Sequence, residues 1–101
     1  MTLLGQSILS AAGKKNAPLR KWLAEWAVVV QKSNWRSLID LRSSYPSADG
    51  VQAKRKVVTV FNVKGNEYRL IVVVDYSAQI VIVGEVITHA EYSKDLWKES
   101  Y

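Results

Sequence analysis

Apolar positions recur along this chain in two rhythms, a helical one in its first half and a strand-like one in its second. Leu19, Trp22, Leu23, Trp26, Val29 and Val30 fall three and four residues apart, the spacing of one buried helix face. Asn16 stands where a helix cap belongs, and Pro18 suits the first turn, where a missing amide proton costs nothing. Trp22 and Trp26 could form a stacking platform, but their place on the apolar stripe favours core. Upstream, Ile8, Leu9, Ala11 and Ala12 fit a short helix ended by Gly13, with residues 1–4 as an edge strand before it. Downstream, Asn34 is a candidate cap for a helix through Trp35, Leu38, Ile39 and Arg42, stopped by Ser43-Ser44-Tyr45-Pro46.

From residue 57 the pattern turns extended. Residues 57–61 and 68–74 are β-branched, aromatic or aliphatic almost throughout, and Gly65-Asn66 between them tolerates the positive φ of a hairpin turn. Asp75-Tyr76-Ser77-Ala78 supplies a second turn and residues 79–86 a third strand, while residues 47–56 read as loop. Thr88 and Glu91 have capping-box spacing, so a short C-terminal helix starts there, with Tyr92 and Leu96 spaced to pack on each other. Helices first and strands second predict one α+β domain over 1–101. Its helices cover one face of a small antiparallel sheet, a three-stranded meander plus the N-terminal edge strand, and leave the other face free for a ligand.

Composition narrows the chemistry. The chain has 101 residues, enough to bury a core without staples, and no cysteine, so disulfides, thiolate catalysis and Cys-based zinc are excluded. No apolar run reaches the roughly 20 residues of a membrane span. The first residues lack the basic start of a signal peptide, and Gln6, Ser7 and Ser10 interrupt their apolar run, so the expectation is a cytoplasmic protein. One histidine cannot make a histidine-rich metal site, and neither a glycine-rich phosphate loop nor a Gly-x-Ser-x-Gly elbow occurs.

The net charge of +5 is patchy: Lys14-Lys15, Arg20-Lys21, Lys54-Arg55-Lys56, Lys64 and Arg69. Such patches attract polyanions, and they also serve solubility; the loop at Lys54, Arg55 and Lys56 fits either reading. Asn62, Lys64 and Arg69 are different, because a hairpin with apolar strands has no packing use for two cations and an amide. They suggest an anion-receiving groove. His89 and Tyr92, three residues apart at a helix start, are either a packing pair or a proton-exchanging one. Together these residue types suit RNA cleavage by the substrate's own 2′-hydroxyl, which needs a base, an acid and cations for the phosphorane charge. They equally suit RNA binding without cleavage, and a protein-interaction domain is the third possibility.

Phe61-Asn62-Val63-Lys64-Gly65-Asn66-Glu67-Tyr68-Arg69-Leu70 paired with Thr88-His89-Ala90-Glu91-Tyr92 resembles the HigB family of RelE-like toxins. The likeness extends to Asp40-Leu41-Arg42, to the Tyr45-Pro46-Ser47-Ala48-Asp49 loop and to overall length. The resemblance implies a RelE-like fold and a type II toxin that cleaves messenger RNA on the translating ribosome without a metal or other cofactor. It also implies neutralisation by a HigA-type helix-turn-helix antitoxin, through which alone the toxin would meet DNA. Carried onto this sequence, it marks Arg69 and Lys64 for phosphate charge, His89 and Tyr92 for proton transfer, and Asn62 beside them. Many members carry an arginine four positions before the threonine, where this chain has Gly84. That departure implies weaker stabilisation of a phosphate and a less active nuclease.

Overall fold

The computed structural model describes residues 1–14 and 16–101; Lys15, half of the first basic pair, lies outside the described residues. The elements run β1 (Thr2–Leu4), α1 (Gln6–Gly13), α2 (Ala17–Lys32), α3 (Leu38–Ser44), β2 (Asp49–Gln52), β3 (Val57–Val63), β4 (Tyr68–Asp75), β5 (Ile80–Thr88) and α4 (His89–Ser93), followed by a 3₁₀ helix, Leu96–Ser100. The five strands form one sheet in the order β1-β5-β4-β3-β2. Four of them make an antiparallel meander, and β1 joins β5 in parallel, Leu3 opposite Val81.

Alternation along the strands divides the side chains between two faces. Phe61, Val63, Leu70, Val72, Val81 and Val83 point to the first face, where Leu19, Leu23, Trp26 and Val30 of α2 cover them. Each of these side chains contributes roughly 1.5–3 kcal/mol when fully buried. Trp26 meets Phe61 edge-on at 5.4 Å between ring centroids, and Tyr45 meets Phe61 from the loop after α3 at 5.3 Å. Trp26 is thus core, as its stripe predicts. The α2 cap is also as expected: Asn16 accepts from the Leu19 amide at 3.0 Å, and its own amide donates to the Tyr68 hydroxyl, tying the helix start to β4.

Three expectations change. Residues 49–52 are not loop but β2, paired with Val57, Val58, Thr59 and Val60 of β3, so the meander has four strands. A tight loop over residues 53–56, closed by the Ala53 amide on the Lys56 carbonyl, gives this short segment a strand to pair with despite its Asp-Gly start. The cap of α3 is Ser37, whose hydroxyl accepts from the Asp40 amide, and not Asn34. Lastly, the second face of the sheet is only partly open. Val58, Val60 and Ile71 lie there under Trp97, with Tyr92 and Tyr101 beside it, because the chain after α4 folds back across the strands.

Candidate active site

Strand alternation sends Arg69 to the second face with Ile71, and sheet register sets it directly opposite Asn62 of β3 and Ile87 of β5. The guanidinium is inside the protein, with only 7% of the residue exposed. Its Nη1 donates to the carbonyls of Asn66, at 3.3 Å, and Tyr68, at 3.0 Å. Its Nη2 donates to the Asn66 side-chain oxygen at 2.9 Å and to Nδ1 of His89 at 3.2 Å. A guanidinium has no acceptor, so this last contact requires an unprotonated Nδ1 with a lone pair facing Arg69. The same guanidinium lies 5.4 Å from the centre of the Tyr92 ring. Among the described residues no carboxylate forms an ion pair with it. A buried cation held by neutral oxygens and rings keeps its charge available to an anion that reaches it.

His89 and Tyr92 arrive there because of the chain's last helix start. Thr88 accepts from the Glu91 amide at 3.2 Å while the Glu91 carboxylate accepts from the Thr88 amide at 3.1 Å, a complete capping box. This fixes the exit of β5, and one helical turn sets His89 and Tyr92 on the same side, toward Arg69. The His89 amide donates to the Glu67 carbonyl at 2.9 Å, which fastens α4 to the β3–β4 turn. That turn spans four residues rather than two. Its positive φ values fall on Lys64, at 51°, and Gly65, at 65°, and not on Asn66. Asn66 is thereby free to receive Arg69, while Lys64 pairs with Glu67 at 3.2 Å on the partly exposed tip.

The remaining basic candidates sit elsewhere. Lys54, Arg55 and Lys56 lie at the opposite end of β3 from the turn, about 20 Å away at the strand rise of roughly 3.3 Å per residue. There they hold the C-terminal segment. The Lys54 amide donates to the Lys98 carbonyl, the Arg55 amide to the Tyr101 carbonyl, the Arg55 side chain to the Glu99 carbonyl, and the Lys54 ammonium pairs with Glu99 at 2.9 Å. Lys56 is exposed. The structure therefore brings together Asn62, Arg69, His89 and Tyr92, with Lys64 on the adjoining turn, and leaves the 54–56 loop as a separate cluster.

Sequence reasoning missed the residues that back this site. Tyr92 does not pack on Leu96, which is 72% exposed. Asp95 takes a left-handed φ of 61°, which ends α4 and turns the chain so that Trp97, the next residue along, reaches the sheet instead. Tyr101 follows it over β5, where its hydroxyl donates to Glu85 at 3.3 Å. Gly84 is the extra residue of a bulge in β5, and a Cβ there would lie 2.9 Å from the Tyr101 ring and closer still to its hydroxyl. Only glycine leaves that room. The residue expected to weaken the site for want of an arginine is thus also the seat of Tyr101. Gly84→Ala is expected to expel the hydroxyl and cost about 1 kcal/mol, the usual net worth of one hydrogen bond, read as a lowered urea midpoint.

Burial first, and then the nearby Glu85 carboxylate, push the Tyr101 phenol up to about 12 from its usual 10.0. A raised folded-state value stabilises the fold fully below the unfolded value and loses that contribution as pH climbs from about 10 to about 12. Urea midpoints taken below and within that window should fall with pH in the native chain and fall less in Tyr101→Phe.

Among the described residues no three His, Asp or Glu side chains gather as metal ligands do, and no helix is long and apolar enough to cross a membrane. Residues 19–95 match the family model described as HigB_toxin, RelE-like toxic component of a toxin-antitoxin system. The chain is 32% identical over 92 residues to the mRNA interferase toxin HigB of Escherichia coli K12, covering 91% of this chain and 88% of that one. The same figures hold for the proteins named mRNA interferase HigB from Escherichia coli O157:H7 and Shigella flexneri. With the match spanning both the β3–β4 hairpin and the start of α4, this chain belongs to the HigB family of RelE-like toxins of toxin-antitoxin systems.

Proposed function

We propose that this chain, whose relatives are named mRNA interferases, is a messenger RNA endonuclease that acts on the translating ribosome and so inhibits translation. The observation that carries the reading is the buried Arg69 guanidinium, free of any carboxylate among the described residues and in contact with both His89 and Tyr92. In the proposed reaction the substrate's 2′-hydroxyl attacks the adjacent phosphate. Arg69 binds the phosphorane charge, assisted by Lys64, while Asn62 orients the phosphate. A phosphate oxygen that takes over the Nη2 donor releases the Nδ1 lone pair of His89, so substrate binding itself arms the imidazole for proton transfer. Tyr92 is its partner in moving the second proton. The cycle uses no metal, and leaves a 2′,3′-cyclic phosphate and a 5′-hydroxyl.

The cognate partner in this reading is a HigA-type antitoxin with a helix-turn-helix, and the compartment is the cytoplasm. Lys54, Arg55 and Lys56 would contact RNA at a distance from the cut. Expression without an antitoxin should arrest growth and truncate translated messages, and purified protein should cut message on programmed ribosomes in the presence of a chelator. Normal growth and intact messages with the folded protein present would overturn the proposal. One feature favours the second reading, RNA binding without cleavage: both terminal nitrogens of Arg69 are already engaged. Ribosome association at low salt with no cut product would select it.

A further inference from the structure

The Arg69–Tyr92 pair continues into a third group. The Trp97 indole stacks on the Tyr92 ring at 5.2 Å between centroids and 15° between planes, and its Nε1 donates to the Tyr92 carbonyl at 3.0 Å. Trp97 therefore touches Tyr92 twice, once on the ring and once on the backbone. It is 6% exposed, bedded on Val58, Val60 and Ile71 of the sheet, so its own position is set by β3 and β4. The helix carrying Tyr92 has only five residues and none of them is buried, so α4 has little packing of its own to hold that ring. Tyr101 meets the far side of this arrangement at 6.3 Å from Trp97, and the 54–56 loop binds the backbone around it.

We propose that Trp97 is a positioning residue for the reaction: it fixes the Tyr92 ring against the Arg69 guanidinium, and so sets where Tyr92 exchanges its proton. This rests on the endonuclease reading above. Two substitutions separate positioning from bulk stability. Trp97→Phe retains a flat ring for Tyr92 and gives up the indole N–H, whereas Trp97→Leu retains apolar volume and gives up the stack. Each is measured for folded fraction by urea denaturation, for kcat and KM on programmed ribosomes, and for NOEs between the Tyr92 ring protons and the Arg69 side chain by NMR.

At equal folded fraction Trp97→Leu should lower kcat by about tenfold or more with KM little changed, because misplacement of a reacting group by about 1 Å can cost a hundredfold. Trp97→Phe should recover most of that loss. The Tyr92–Arg69 NOEs should weaken in Trp97→Leu and persist in Trp97→Phe. Folded Trp97→Leu with native kcat, or with native Tyr92–Arg69 NOEs, would overturn the proposal. If Trp97→Leu does not fold, Trp97→Phe decides: retained NOEs with kcat near native support positioning by the ring, whereas NOEs lost with native kcat, or kcat lost with native NOEs, overturn it. A native chain that cuts nothing sinks the endonuclease reading, whereas the NOEs still report whether Trp97 places Tyr92.

Discussion

His89→Ala is expected to lower the rate constant for message cleavage on programmed ribosomes by about 10²–10⁴-fold, the usual worth of a positioned proton-transfer group. The fold should be nearly untouched. His89 is exposed, its backbone amide bond to Glu67 survives the substitution, and the Thr88–Glu91 capping box does not involve its ring. A ribosome-binding assay should show near-native affinity, since the phosphate ligand in the proposed site is Arg69. Native cleavage by folded His89→Ala would remove the imidazole from the mechanism and leave Tyr92 as the group to test.

Arg69 is expected to behave differently, because it is both the proposed phosphate ligand and a buried structural member. Arg69→Ala strips four hydrogen bonds from the Asn66 turn, the Tyr68 carbonyl and His89, and leaves a void beneath Tyr92. Cleavage should fall by about 10²–10³-fold, as for loss of one donor aimed at developing charge. Stability should fall by roughly 1–3 kcal/mol, as buried acceptors lose their partner. Arg69→Lys discriminates between charge and geometry. An ammonium keeps the positive charge but cannot reach Asn66, Tyr68 and His89 from a fixed fork. It should therefore stay far below native activity in cleavage assays while losing less stability than Arg69→Ala. Equal, native-like cleavage by both variants would show that the phosphate is bound elsewhere.

The parts of this structure that were legible in the sequence are those governed by local chemistry. Asn16 and Pro18 open α2, Thr88 and Glu91 open α4, and the β-branched and aliphatic runs on either side of Gly65 become β3 and β4. The resemblance places Arg69, His89 and Tyr92 in one site, and the structure brings the three into contact. The missed parts depend on partners distant in sequence. Asp49-Gly50-Val51-Gln52 has no strand pattern and becomes β2 only because β3 offers it an edge. Trp97 has a single partner at helical spacing, Tyr101, too little to mark a buried face; the left-handed turn at Asp95 and the grip of the 54–56 loop carry it onto the sheet. The expectation of an open face failed for that reason. The seat that Gly84 gives Tyr101 likewise went unread, because the two lie seventeen positions apart in sequence.

The parallel edge of the sheet bears on when this protein becomes dangerous. Thr2, Leu3 and Leu4 lie in parallel register with Ile80, Val81 and Ile82, so the first strand of the sheet waits for the last. Contacts so distant in sequence form slowly and make assembly all-or-none. Arg69 of β4 meets His89 and Tyr92 only once β5 has paired beside it, so the proposed nuclease site comes into being with the completed sheet and not before it.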